Sequence, residues 1–393
     1  MSQIQTSHQQ SSSQTSAARL ALLDFLRGFS LLGILAVNLP YFAEPPYGFS
    51  PFHSTNSEVT RFLLNFFFTG KFFILFSFVF GYGFTILLYS SAQKGYEAKR
   101  VFYRRLIGLF ILGIIHAHFL FSGDILISYS LLGFILYQMK DLSDKTLFKW
   151  MGFFWILSIL CYGIIGLLSY LPGESYGLDY ESLTKESIAN HFGTFYELTL
   201  QKIKEYYFSF PFLIFYNWPS AILMFLVGLM AGKKQLLSQP EKIWAYFQGK
   251  KRYLIIIAII SNVCYAISSL NQDSILFEVF FSSLLSIAGI SLMILYILVW
   301  IRLFFLGSIK QNLFVTLLSR AGSMSLSNYL MQSIICNWIF HGWGLGYFSK
   351  LSPEWVAFLI LPIYSFNLLF SFVWKKYFTL GPFEYLLRKW TYA

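Results

Sequence analysis

Charge is what this chain has least of: only 12% of its 393 residues are Asp, Glu, Lys or Arg, against 56% hydrophobic. A soluble domain of ordinary composition carries about twice that share, so this chain is not built to meet water on all sides. Cysteine is scarce too. Cys161, Cys264 and Cys336 are odd in number, form no CxxC and each fall inside an apolar run, so neither a disulfide framework nor a metal-binding knuckle is supported. No GxSxG, HExxH, Walker loop or strand–GxGxxG–helix occurs, which leaves soluble hydrolase, zinc and nucleotide folds without support. Residues 1–18 lack Lys, Arg and any apolar run; rich in Ser, Gln and Thr, they read as a disordered cytoplasmic tail, not a signal peptide.

What is abundant comes in blocks. Apolar runs near twenty residues recur, each able to cross a hydrocarbon core about 30 Å thick, and they predict an all-α polytopic transmembrane bundle. A β-barrel is excluded because its strands would alternate polar and apolar side chains. Ten spans are expected near 22–42, 65–90, 106–121, 124–139, 150–171, 208–231, 253–270, 276–301, 322–341 and 355–374, in a single integral domain over 19–393. The net charge of +11 follows the topology. With both termini cytoplasmic, most Lys and Arg face inward, and only Arg61, Lys71, Lys185, Lys202, Lys204 and Lys350 face out. Acidic residues favour the outer side. Every cytoplasmic connection is thus basic, as the positive-inside rule requires. Orientation and anionic lipid account for the basicity, so membrane lipids are expected partners and nucleic acid is not. Outside, 43–60 carries a Pro45-Pro46-Tyr47-Gly48 turn and His53, and the acidic stretch 172–205 is expected to form a short surface helix.

Ionisable groups inside a membrane usually mark a pathway or a reaction site, and His116-Ala-His118…Ser122-Gly123-Asp124 concentrates three of them between two spans. His116 and His118 point to opposite faces of their helix. His116 shares a face with Arg105, about 16 Å below it along the axis. Gly123 breaks the helix, and a short re-entrant turn would return Asp124 to His116, where a carboxylate fixes the imidazole tautomer and strengthens its other nitrogen as a base. The plainer readings are an interhelical hydrogen bond for each histidine and an Asp124 that only caps the fourth span. Asp24, Arg27 and Asn38 share a stripe of span one, either as an ion pair locking that span or as the lining of a polar cavity. Lys71, near the outer end of span two, is expected to snorkel outward or to serve as a cation for an oxyanion or glycan carboxylate. Ser325, Asn328, Gln332 and Cys336 form a neutral stripe in span nine, which reads as helix–helix glue.

Several segments are similar to the YeiB family of bacterial membrane proteins: Leu23-Asp24-Phe-Leu-Arg27-Gly28 through Asn38, Gly70-Lys71-Phe, Phe80-Gly81-Tyr-Gly83, Arg104-Arg105…His116-Ala, Ser122-Gly-Asp124, Ser325-Leu-Ser-Asn328-Tyr-Leu-Met-Gln332-Ser and Gly381-Pro-Phe-Glu384. They occur in order over nearly the whole chain from residue 19. The resemblance implies a multi-pass protein of the bacterial inner membrane. That family is grouped with transmembrane acyltransferases that modify extracytoplasmic sugars, the lysosomal heparan glucosaminide acetyltransferase among them, while some relatives are labelled transport proteins. It further implies His116 as the central residue with Asp124 beside it, and Arg100, Arg104 and Arg105 as holders of an acyl-CoA co-substrate's phosphates. Asp24, Arg27, Asn38 and Lys71 remain candidate substrate contacts. No metal or tightly bound cofactor is expected. His116 would act as general base or through a transient acyl-histidine. A secondary transporter, with Pro219 and Pro362 as kinks in its helices, is the alternative, and a scaffold or sensor the third reading.

Overall fold

The computed structural model describes residues 2–47, 52, 54–170, 179–268, 275–305 and 312–393, with side chains from residue 22 onward except 169–170, 268, 276–278 and 304–305. His53 and the start of the acidic outer segment lie outside the described residues. Every regular element among them is helical: α1 (Ser2–Ala43), α2 (Thr55–Phe67), α3 (Lys71–Gln93), α4 (Ala98–Phe119), α5 (Leu126–Met139), α6 (Asp144–Tyr170), α7 (Tyr180–His191), α8 (Phe195–Lys233), α9 (Pro240–Gln248), α10 (Lys251–Ser268), α11 (Ile275–Ser283), α12 (Leu285–Phe305), α13 (Leu313–Ser323), α14 (Ser325–Phe340), α15 (Pro353–Phe358), α16 (Ile360–Tyr377) and α17 (Pro382–Tyr392). The backbone is thus helical back to Ser2, through the segment expected to be a tail. The surface helix expected over the outer face is α7, capped by Asp179, whose side chain accepts from Ser182 N.

Among the described residues, seven stretches are long and apolar enough to span a membrane: Leu22–Ala43, Thr55–Gln93, Ala98–Phe119, Asp144–Leu168, Phe195–Lys233, Val279–Leu303 and Pro353–Tyr377. The other three expected crossings lie on shorter helices. The 14 residues of α5 extend only about 21 Å. α10 has 18 residues and opens on Lys251 and Arg252. The run over 322–341 is interrupted at Met324 (φ −119°, ψ 35°), leaving α14 with 16 residues.

Two glycine seams hold the bundle together. A Cβ on Gly28 would lie 2.0 Å from Leu318 O, and one on Gly322 would lie 1.7 Å from Asp24 O, so α1 and α13 touch backbone to backbone. Gly81 and Gly228 do the same for α3 and α8, each 2.2 Å from a carbonyl of the facing helix. Small residues at crossings are how membrane helices gain van der Waals contact where no hydrophobic drive operates. Around these seams a continuous apolar core gathers residues from α1, α3, α4, α5, α8 and α14. The α4–α5 hairpin and α14 meet within it, and α17 closes one end of it.

Candidate functional site

The end of α4 builds the site. Leu120 N and Phe121 N both donate to His116 O (2.9 and 2.8 Å), which closes the end of the helix. The chain reverses at Ser122-Gly123, and Asp124 returns to the helix it has just left. Its Oδ1 accepts from His116 Nδ1 at 2.7 Å, while Oδ2 accepts from Ile127 N at 2.8 Å. One carboxylate therefore both pairs the imidazole and caps α5. Gly113 makes the closeness possible: a Cβ there would lie 2.8 Å from Ile127 N and 3.1 Å from Asp124 Oδ2. Both side chains are entirely buried.

The second imidazole nitrogen, Nε2, lies 2.8 Å from Ser333 Oγ on α14. Because the carboxylate can only accept, Nδ1 carries a proton; in the neutral imidazole Nε2 then presents its lone pair, to which Ser333 donates. One turn earlier on α14, Tyr329 lays its ring against His116 with centroids 4.8 Å apart. Phe121 meets the imidazole edge-on at 6.2 Å.

Beneath this group lies a cavity of about 340 Å³. Lys94, Arg105 and Arg388 line its mouth with Glu384, and Ile125, Tyr129 and Tyr329 its inner end, between apolar walls from α1 and α3. His116 is not part of the wall: Tyr329 stands in the wall on one side and against the imidazole on the other. The C-terminal helix forms much of the mouth. Trp390 Nε1 donates to Arg104 O (2.8 Å) and Arg104 Nε returns a bond to Trp390 O (3.0 Å), tying α17 to α4. Glu384 Oε1 accepts from Leu326 N (2.7 Å) and Ser327 N (3.1 Å), capping α14 at the break the backbone makes there.

The other residues singled out by sequence are dispersed. Of the three arginines only Arg105 lines the cavity; Arg104 is engaged with Trp390 and Arg100 is exposed on the first turn of α4. Asp24 and Arg27 form an ion pair at 2.9 Å, each about a quarter exposed, and neither they nor half-buried Asn38 belong to the wall. Lys71 does not snorkel. It is wholly buried, with Nζ donating to Asn65 O (2.6 Å) and lying 5.2 Å from the Tyr265 ring, away from the cavity. His118 donates to Ile114 O within its own helix and leans on Tyr206. In the neutral stripe, Asn328 bonds Ala321 O and Ser371, and Gln332 reaches Leu31 O, which is the expected glue.

Sequence reasoning missed Ser333 and Tyr329, on the face of α14 beside that stripe, and a buried polar cluster above the site. There Lys202 Nζ donates to Leu120 O (2.8 Å) and to Asn337 Oδ1 (2.7 Å), covering the end of α4. Asn337 Oδ1 also accepts from His341 Nε2. His341 packs against His191, whose Nδ1 donates to Ser187 O (2.8 Å) and whose Nε2 lies 3.8 Å from Glu205 Oε2. Burial holds the His191 imidazole below its ordinary range, partly offset by Glu205. A spacing of four, Tyr329–Ser333–Asn337, was the available signal for one side of this arrangement. Among the described residues no group of three or more His, Cys, Asp or Glu side chains is placed to hold a metal ion.

Comparison with known proteins places this architecture. The chain is 30% identical over 393 residues to the uncharacterised protein YxaH of Bacillus subtilis (strain 168), covering 95% of this chain and 94% of that one. It is 27% identical over 396 residues to the uncharacterised protein YeiB of Escherichia coli (strain K12), covering 95% and 96%. The chain belongs to the YeiB family. The family model described as a protein of unknown function (DUF418) matches residues 231–393, the part that supplies Tyr329, Ser333 and Glu384 but not His116 or Asp124. An uncharacterised 39.9 kDa protein from the amylase 3′ region of Bacillus acidopullulyticus is 27% identical over 384 residues, covering 95% and 94%. No solved structure matches the chain. The resemblance read from the sequence is therefore borne out at the level of the YeiB family, and the apolar helices make this an integral membrane protein.

Proposed function

We propose that this protein is a membrane acyltransferase that takes an acyl group from a cytoplasmic thioester donor of the acyl-CoA type and passes it to a hydroxyl or amine on an extracytoplasmic glycan or envelope acceptor. One observation carries the reading: an apolar cavity opens between Lys94, Arg105 and Arg388 and ends at Tyr329, whose ring lies against a buried His116–Asp124 pair. Cations at an otherwise apolar mouth suit a donor with phosphates at one end and an acyl chain at the other. His116, oriented by Asp124, handles the proton of the accepting group. On this reading the chain lies in the bacterial inner membrane with both ends cytoplasmic, and Arg105 and Arg388 hold the donor.

The test uses purified protein in proteoliposomes, with radiolabelled acetyl-CoA on the cytoplasmic side and an envelope glycan fraction on the other. Labelled acceptor is expected with the wild type and not with H116A. Acceptor labelled at the wild-type rate by H116A dismisses the reading. The breaks at Leu284 and Met324, each interrupting an apolar run, favour a secondary transporter as the second reading, since such folds use discontinuous helices. Solute flux without any covalent product decides for that class.

A further inference from the structure

We infer that Ser333 is a covalent nucleophile and that acyl transfer proceeds through an acyl-serine. The inference rests on the proposed acyl transfer for its donor. Its geometry stands by itself: Asp124 Oδ1 to His116 Nδ1 at 2.7 Å, and His116 Nε2 to Ser333 Oγ at 2.8 Å. An acid orients an imidazole, and the imidazole's free nitrogen faces a hydroxyl. Such a constellation is recognised by geometry and role, not by sequence order or a surrounding motif, so the lack of GxSxG does not count against it.

The plainer account is that Ser333 is an ordinary helical serine that happens to touch the ring. Helical serines in this chain show what ordinary looks like. Ser30, Ser77 and Ser261 donate to the carbonyl four residues back at 2.7, 2.9 and 2.6 Å. Ser333 stands 3.4 Å from the equivalent carbonyl, Tyr329 O, and 2.8 Å from the imidazole. Its hydroxyl has been drawn off the helix and onto His116. That contact also restricts what His116 can do. A base whose lone pair already holds a hydroxyl proton acts first on that hydroxyl; direct action on an outside acceptor would require Ser333 to be displaced.

The steps balance. Ser333 Oγ attacks the thioester carbonyl while its proton passes to His116 Nε2; the Oγ–C bond forms, the C–S bond breaks, and His116 returns the proton to the departing thiolate. An acceptor hydroxyl then gives its proton to His116 and attacks the acyl-serine carbon. The new ester C–O bond forms, the Oγ–C bond breaks, and the proton goes back to Ser333. Position suits this order. Tyr329 ends the cavity and Ser333 follows four residues along α14, about 6 Å further on, so the acyl group has to pass the Tyr329 ring to reach Oγ. Donor and acceptor then never have to be bound together, which matters for a site with a polar cluster across its outer side.

The test uses the full chain in detergent micelles, as wild type, S333A, S333C and H116A. Each is treated separately with a fluorophosphonate, which labels activated serines without any donor, and with radiolabelled acetyl-CoA; adducts are located by peptide mass spectrometry. Both labels are expected on the peptide bearing Ser333, absent from S333A and slowed about 10³-fold or more in H116A. The acetyl adduct should survive neutral hydroxylamine, as an ester does and an acyl-imidazole does not. S333C retains the side-chain volume should S333A misfold, and its adduct should turn hydroxylamine-labile. An adduct on His116, no label on Ser333 from either reagent, or acceptor transfer by S333A at the wild-type rate each overturns the nucleophile. Transfer retained in S333A but lost in H116A leaves the acyltransferase standing. Fluorophosphonate labelling of Ser333 without acetyl-CoA turnover supports the nucleophile and removes the acyl-CoA donor.

Discussion

Replacing Asp124 by Asn separates orientation from packing at this site. Asp124 makes two contacts, Oδ1 to His116 Nδ1 at 2.7 Å and Oδ2 to Ile127 N at 2.8 Å. Asparagine has the same shape but only one acceptor. Ile127 N–H is a fixed donor, so the amide oxygen has to face it and the NH₂ turns toward His116. The imidazole must then present a lone pair at Nδ1 and carry its proton at Nε2, the wrong tautomer for a base facing Ser333. In Ser-His-Asp sites the corresponding change lowers kcat about 10⁴-fold with geometry intact, and a similar loss is expected here. The structural cost is smaller, since one charge-assisted hydrogen bond becomes a neutral one, a difference of about 1–1.5 kcal/mol. D124A should cost about 1 kcal/mol more, because the α5 cap goes as well. Acyl transfer and thermal unfolding of detergent-purified D124N and D124A would be measured side by side. A D124N protein transferring within tenfold of the wild type would refute the claim that the carboxylate sets the tautomer.

Three further outcomes follow from the same contacts. Gly113→Ala places a methyl 2.8 Å from Ile127 N, so it should push α5 off α4 at about 1–3 kcal/mol and lower both melting temperature and transfer; unchanged melting contradicts the packing described. Glu384→Ala strips the cap from α14, which costs about 1–2 kcal/mol, and loosens the mouth, so KM for the donor should rise more than kcat falls in steady-state assays. His191, held neutral by burial, binds a proton more readily unfolded than folded, so it lowers stability as pH falls below its ordinary value of about 6.5. Melting curves between pH 8 and 5 should therefore show a shallower decline for His191→Phe, and identical slopes would refute that role.

Local chemistry was legible in the sequence and distant packing was not. His116 and Asp124 are separated by a single turn signalled by Ser122-Gly123, so their meeting follows from chain geometry alone. Ser333 lies 217 residues from His116, and nothing short of the packed bundle brings it there. The neutral stripe of α14 drew the eye because four polar residues recur on one face, but Asn328 and Gln332 spend their amides on backbone carbonyls, as buried amides in bundles commonly do. The face that meets His116 is the adjacent one, where an aromatic, a hydroxyl and an amide recur four residues apart. Lys71 was misplaced because helix-end lysines ordinarily reach water; here Asn65 O and the Tyr265 ring hold it inside. Hydropathy marked the apolar runs well, but it is blind to a break such as the one at Met324.

The glycine seams bear on how this machine can move. Helices meeting through side chains can slide by swapping rotamers, but α1 against α13 and α3 against α8 meet main chain to main chain, where sliding has no slack to draw on. These pairs behave as two fixed posts. On the proposed chemistry, passage of a reacting carbon beyond Tyr329 then falls to swings of individual rings, or to flexing of the α4–α5 hairpin. A covalent staple across either seam should accordingly leave turnover intact, whereas one joining α5 to α14 should arrest it.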